Sequence, residues 1–171
     1  MKRTEKTVKV IVAGPGGVGK TCFLNRLVNN EFNNKSELTK GVDFFSKTVS
    51  INGIDFNFIL WDFAGQEQFK SLLNEFIEGS IAAFVLFDMT RLTTLESVYE
   101  WIKQFQTLNI PTLILGTKLD LIKFNDISFL DEYILDLKKF NRNVIGYFKV
   151  SSKTGYNIDN AFNYLIKCFV D

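Results

Sequence analysis

The sequence predicts an α/β protein: a six-stranded mixed sheet with helices on both faces. Three observations carry this. Strand-like and helix-like segments alternate along most of the 171 residues. Several strand-like runs are almost continuously apolar, as parallel strands covered on both faces tend to be. Asn52-Gly53 stands between two β-rich runs, a strong signal for a type I′ hairpin and so for one antiparallel pair.

The elements follow in order. "TVKVIVA" (7–13) is β-branched and apolar, and runs into a glycine-rich loop ahead of a helix over 19–29. "VDFFSKTVSI" and "IDFNFILWDF" are the two arms of the hairpin. "SIAAFVLFDM" (80–89), "IPTLILGTK" (110–118) and "NVIGYFKVS" (143–151) supply three more strands. Thr93-x-x-Glu96 has the form of a capping box ahead of Leu95, Val98, Ile102 and Phe105 on one helical face. Ser128-x-x-Asp131 has a similar form ahead of Leu130, Tyr133, Ile134 and Leu137. A last helix from about Asn157 turns Ile158, Ala161, Phe162, Leu165, Ile166 and Phe169 inward. No repeat or linker interrupts the pattern, so 1–171 is expected to form a single domain.

Composition excludes several chemistries. The chain has no histidine, which removes Ser-His-Asp catalysis, H-E-x-x-H zinc sites and histidine bases. Its two cysteines, Cys22 and Cys168, make no C-x-x-C and imply a reducing compartment. A net charge of +1 argues against nucleic acid as a partner, since non-specific binding runs on a basic face. No apolar run approaches the roughly 18 residues of a membrane span. The start "MKRTEKTVKV" lacks a signal-peptide core, and Lys2 excludes myristoylation. A cytoplasmic protein is expected.

Ligands of such folds sit at the carboxyl ends of the strands. There the first loop reads "GPGGVGKT" (14–21), which fits G-x-x-x-x-G-K-S/T between a strand and a helix. Its glycines let backbone N–H groups approach an anion, and the helix N-terminus favours negative charge. Lys20 is placed to reach the outer phosphates and the Thr21 hydroxyl to bind Mg²⁺. Pro15 has no N–H, but it stands at the loop's entry, ahead of the donors expected from Gly17 to Thr21. "WDFAGQEQF" (61–69) brings Asp62 to a strand end beside the presumed Mg²⁺, and Gly65 to a position that can sense a terminal phosphate. "TKLD" (117–120) ends another strand, and "SSK" (151–153) a third.

These four motifs, in this order, resemble the Ras-like small GTPases, a P-loop NTPase G domain. "TKGVDFF" (39–45) and "FKSLLNEFIEGS" (69–80) are most similar to the Rab branch. The resemblance implies a Mg²⁺-dependent switch that binds GTP and GDP. Gly16, Gly17, Val18, Gly19, Lys20, Thr21 and Cys22 would hold the phosphates, and Thr21, Thr39 and Asp62 the metal. Thr39 lies 18 residues beyond Thr21, as in the family. Phe32 would pack on the guanine. Lys118 would cover the base, and Asp120 would accept from guanine N1–H and the exocyclic amine. Thr117 and Ser151 would support that site, and the Ser152 and Lys153 N–H groups would meet guanine O6. Gln66 would orient the attacking water, with Lys20 and Thr39 completing the catalytic set. A GTPase-activating protein supplying an arginine, an exchange factor and effectors are implied partners.

The chain departs from the family's pattern at Thr117 (usually asparagine, threonine in the Rho branch), Ser152 (usually alanine), Phe63 (usually threonine) and Gln68 (usually arginine). Phe63 is expected to place a bulky ring beside the second switch and to alter partner choice. Cys168 mimics C-a-a-X, but Asp171 is a poor last residue, so no stable direct membrane anchor is expected. Two other classes share parts of this pattern: a P-loop kinase or ATPase, against which Asp120 and "SSK" argue, and a pseudo-GTPase scaffold, against which Gly16, Thr39 and Gln66 argue.

Overall fold

A computed structural model describes residues 4–34, 38–64, 71–123 and 127–170. Its strands are β1 (Glu5–Ala13), β2 (Val42–Ile51), β3 (Ile54–Phe63), β4 (Ser80–Asp88), β5 (Thr112–Thr117) and β6 (Val144–Lys149). Its helices are α1 (Lys20–Asn29), a short α2 (Leu73–Ile77), α3 (Thr93–Gln106), α4 (Ser128–Phe140) and α5 (Ile158–Val170), with one 3₁₀ turn at Leu119–Leu121. The sheet order is β2-β3-β1-β4-β5-β6. Only β2–β3 is antiparallel; every other pairing is parallel. The mixed six-stranded sheet predicted from the sequence is therefore present.

Period-two alternation sorts the strand side chains into two cores. Val10, Val12, Phe84 and Leu86 join Phe23, Leu24 and Leu27 of α1 and Ile158, Phe162 and Leu165 of α5. Ile11, Ala13, Val85 and Phe87 join α2, α3 and α4 on the opposite face. Every residue of β5 is buried, and β4 is buried from Ala82 onward, which explains their unbroken apolar character. The hairpin takes the expected turn: Asn52 (φ 51) and Gly53 (φ 80) both have the positive φ that type I′ requires.

Three local expectations are corrected. Neither capping box forms. The α3 start is tied by the Thr94 hydroxyl, which accepts from the Asp88 N–H at 2.9 Å and lies 2.7 Å from the Arg91 carbonyl. Asp131 pairs instead with Lys149 of β6 at 2.9 Å. Tyr133 stands exposed, because Leu130, Ile134 and Leu137 at i, i+4 and i+7 already fill the inner face of α4. Phe63 sets its ring against Phe76 of the second switch, as expected, but from inside the core. It is fully buried, with ring centroids 5.9 Å from Phe76 and 6.5 Å from Trp101. Gln68 lies outside the described residues.

Since Phe63 bridges the sheet to α2 and α3, Phe63→Ala is expected to cost about 3–5 kcal/mol in urea unfolding. A loss below about 1 kcal/mol would place the ring outside the core.

Candidate functional site

The parallel strands β3, β1, β4, β5 and β6 end on one edge of the sheet, and the segments that follow β1, β5 and β6 meet there around a cavity of about 430 Å³. β1 sits between β3 and β4, where the chain's winding direction reverses; such a switch point opens a crevice between neighbouring loops. The cavity is lined by Gly16, Gly17, Val18, Gly19, Lys20, Thr21, Cys22, Phe32, Thr39, Thr117, Lys118, Asp120, Ser152 and Lys153. Asn33, Asn34, Leu38 and Leu121 also line it and were not anticipated. Phe32 is half-buried at this wall and is not a core residue. Gly65 and Gln66 fall outside the described residues.

The glycines of the first loop have distinct physical reasons. At Gly14, a Cβ would stand 2.4 Å from the Leu86 carbonyl oxygen, so the entry to the loop admits no side chain. Gly17 (φ 73) and Gly19 (φ 96) hold left-handed backbone. At Gly16 neither applies: its φ is ordinary, and an added Cβ meets no described atom within 4 Å. The space its missing side chain leaves is cavity space. Pro15, at the entry as expected, contributes an acceptor: its carbonyl takes the Lys20 ammonium at 2.9 Å, alongside the Gly14 carbonyl at 3.0 Å. Burial pushes the Lys20 amine down to about 8, partly offset by the Asp62 carboxylate.

At the other side of Lys20, three residues from distant segments converge. The Thr21 hydroxyl donates to Asp62 Oδ2, Thr39 Oγ1 lies 2.7 Å from Thr21 Oγ1, and Thr39 also reaches Asp62 Oδ2 at 3.3 Å. Asp62 is fully buried, and its Oδ1 has no hydrogen-bond partner among the described residues. Burial raises its carboxyl above the usual range, opposed by the Thr21 hydrogen bond and by Lys20. One carboxylate with a spare oxygen and two hydroxyls fits a hard cation that takes oxygen ligands and completes its shell with water and phosphate. Among the described residues no cluster of three His, Cys, Asp or Glu exists that would suit a different metal.

At the far end of the cavity, Asp120 sits in the 3₁₀ turn after β5, and the Ser151 hydroxyl donates to its Oδ1 at 2.6 Å. Ser151 does not line the cavity; it is buried behind Asp120 and braces it. Thr117 Oγ1 lies 2.6 Å from the Val18 carbonyl and 2.9 Å from that of Phe87. One hydroxyl proton thus serves two acceptors that an asparagine amide would meet with two donors. Lys118, in left-handed backbone (φ 62), donates to the Gly17 carbonyl at 3.1 Å and pairs with the buried Asp88 at 2.7 Å.

Behind the cavity wall, Asp88, Arg91 and Arg26 also left no sign in the sequence. None belongs to a motif of the cavity wall: Arg26 and Arg91 reach backbone carbonyls distant in the chain, and Asp88 holds Arg91 and Lys118. Arg26 of α1 donates to the Ser152 carbonyl at 2.6 Å and the Lys153 carbonyl at 2.7 Å. It holds the "SSK" loop against the helix that starts at the phosphate loop.

A glycine loop feeding a helix, a buried carboxylate facing two hydroxyls and a second loop set around Asp120 define a P-loop nucleotide-binding protein. Comparison with known proteins narrows this. The Ras family model matches residues 9–170. The chain is 32% identical to Ras-related protein Rab-2B of Dictyostelium discoideum, over 92% of this chain and 78% of that protein. It is 33% identical to Ras-related protein Rab7 of Prunus armeniaca (96% and 83%) and 32% identical to human Ras-related protein Rab-4B (94% and 73%). The chain belongs to the Ras family, and is a GTP-binding switch of that superfamily.

Arg26→Ala is expected to speed amide exchange across 151–155 and to weaken GDP binding about tenfold, since two charge-assisted bonds are lost. Unchanged exchange in that loop would show that Arg26 does not hold it.

Proposed function

We propose that this chain is a Mg²⁺-dependent Rab-like GTPase, a switch in trafficking or signalling that hydrolyses GTP slowly. The observation that carries the reading is the meeting of Thr39 with Thr21 and Asp62. Thr39 comes from the segment between α1 and β2, so a ligand held by Thr21 and Asp62 has a handle on that segment. Mg²⁺, when bound, would neutralise charge on the phosphates, with Thr21, Thr39 and Asp62 as its protein ligands.

The chain's own groups account for the rest. Phosphate-loop N–H groups from Gly17 to Thr21 orient the phosphates, and Lys20 brings its ammonium to them. Gly65 senses the terminal phosphate and Gln66 orients water. Segments 33–42 and 63–79 order when that phosphate is present and relax when it leaves. Phe32 packs on guanine. Asp120, Lys118, Thr117, Ser152 and Lys153 select and hold the base, since adenine would leave the Asp120 carboxylate unpaired. Without an arginine from an activating protein, turnover is expected at about 10⁻⁴ to 10⁻³ per second.

Phe44, exposed and edge-on to Trp61 at 4.8 Å, continues through Trp61 to Phe76 at 5.7 Å as an apolar surface that reaches the second of these segments. That surface suits an effector that distinguishes their two states. An exchange factor and an activating protein complete the expected partners, with no role for nucleic acid. Among the described residues no helix is long and apolar enough to cross a membrane. The protein is proposed to work in the cytoplasm, reaching membranes through partners.

Asp120→Asn should exchange guanine preference for xanthine preference in nucleotide competition, because xanthine's C2 carbonyl needs a donor. Unchanged GTP affinity would remove Asp120 from base recognition. Gln66→Leu should bind GTP as the wild type does yet lose most activator-stimulated phosphate release in single turnover. Equal rates in the two proteins would refute the role of Gln66, and no release from the wild type would favour a scaffold.

A further inference from the structure

Asp88 ends β4 fully buried, and both of its oxygens are engaged. Oδ1 accepts the Thr90 N–H at 2.9 Å and the Thr90 hydroxyl at 2.6 Å. Oδ2 accepts two cations, Lys118 at 2.7 Å and Arg91 Nε at 3.0 Å. These hydrogen bonds overcome burial and hold the carboxyl below its usual range. Both cations then reach the phosphate loop. Lys118 donates to the Gly17 carbonyl, and Arg91 Nη2 donates to the Gly16 carbonyl at 3.1 Å. Lys118 belongs to the base-reading motif, but Arg91 belongs to no motif.

Arg91 lies on the back of the loop, outside the cavity that Gly16 and Gly17 line. Its Nη2 stands 3.2 Å from where a Gly17 Cβ would be. In a trans peptide unit the N–H points opposite to the C=O. A Gly16 carbonyl tied to Arg91 therefore sets the Gly17 N–H toward the cavity. The loop needs such a tie, because its glycines leave the peptide planes free to rotate and that freedom must be lost when an anion binds.

We propose that Arg91 is a positioning residue for phosphate binding, fixing the Gly16–Gly17 peptide plane from behind so that the Gly17 N–H is presented to a nucleotide phosphate. The role needs a guanidinium. One edge of the group is held by Asp88 while the other reaches the carbonyl, whereas a lysine has a single nitrogen for both tasks. The inference rests on the guanine-nucleotide reading above. Arg91 is about half exposed, so substitution there leaves the core intact.

The test compares the wild type, Arg91→Gln and Arg91→Lys, each loaded with Mg²⁺ and a fluorescent GDP. Release is followed after dilution into unlabelled GDP, and the Gly17 amide proton is observed by NMR in the same complexes. Both variants are expected to release GDP roughly 3- to 10-fold faster, in keeping with one lost hydrogen bond. Both should also shift the Gly17 amide proton upfield. Wild-type release by Arg91→Lys would overturn the proposal, since charge alone would then suffice. So would unchanged release in both variants, or faster release with the Gly17 resonance unmoved. A wild type that retains no GDP would instead overturn the functional reading, and this inference with it.

Discussion

A buried carboxylate with one idle oxygen is the constraint around which this protein is arranged. Asp62 sits at the end of β3, fully buried, with Thr21 and Thr39 on one oxygen and no hydrogen-bond partner among the described residues on the other. Such a group costs stability, because desolvation is offset only in part by two hydroxyls. Nor does the nearby Lys20 amine neutralise it: burial lowers that amine to about 8 while raising the Asp62 carboxyl, so for both groups desolvation outweighs their attraction. A pair that packs at a cost to the resting fold is readily understood if a cation and phosphates are to enter between them. Under the proposed function, the nucleotide supplies the anion that Lys20 lacks and Mg²⁺ supplies the charge that Asp62 lacks.

The sheet converts this local chemistry into a site for a long ligand. β1 and β3 lie side by side in register from Glu5 opposite Asp55 to Val12 opposite Asp62, which sets the glycine loop beside Asp62. Continuing across β4 and β5 to β6, the same edge carries Asp88, Thr117 and the "SSK" loop. The two ends are bound together by side chains that cross between them. Thr117 touches the Val18 carbonyl, Lys118 the Gly17 carbonyl and Arg91 the Gly16 carbonyl.

What was legible in the sequence follows from chemistry that is local in the chain. Near-continuous apolar runs, the Asn52-Gly53 turn and the glycine loop each declare themselves within a few residues, and each appears where expected. The cavity gathers residues predicted from motifs because a motif combines side-chain type with strand-end placement. Capping was misjudged because Thr93 and Ser128 fall inside their helices, while Thr94 finds a better partner in the end of β4. That Phe63 meets the second switch from inside the core was not legible, because position alone does not show which face of a strand end turns inward; Phe76 and Trp101 decide that. Arg26, Asp88 and Arg91 were invisible for a related reason. The partners of Arg26 and Arg91 include backbone carbonyls, Gly16 being 75 residues from Arg91 and Ser152 being 126 from Arg26, and a carbonyl leaves no mark on residue identity; Asp88 instead gathers Thr90, Arg91 and Lys118, a set that only the fold assembles.

The central claim is that the Asp62 carboxylate is kept for a cation that accompanies a guanine nucleotide. Thermal unfolding of the wild type and Asp62→Asn, each with GDP and titrated with Mg²⁺, tests it most directly. The account predicts a Mg²⁺-dependent rise in the melting temperature of the wild type that exceeds any effect with ADP. It predicts that Asp62→Asn loses the Mg²⁺ increment while melting no lower than the wild type when neither ligand is present, since the amide removes a buried charge. A Mg²⁺ increment equal in the two proteins would contradict the account.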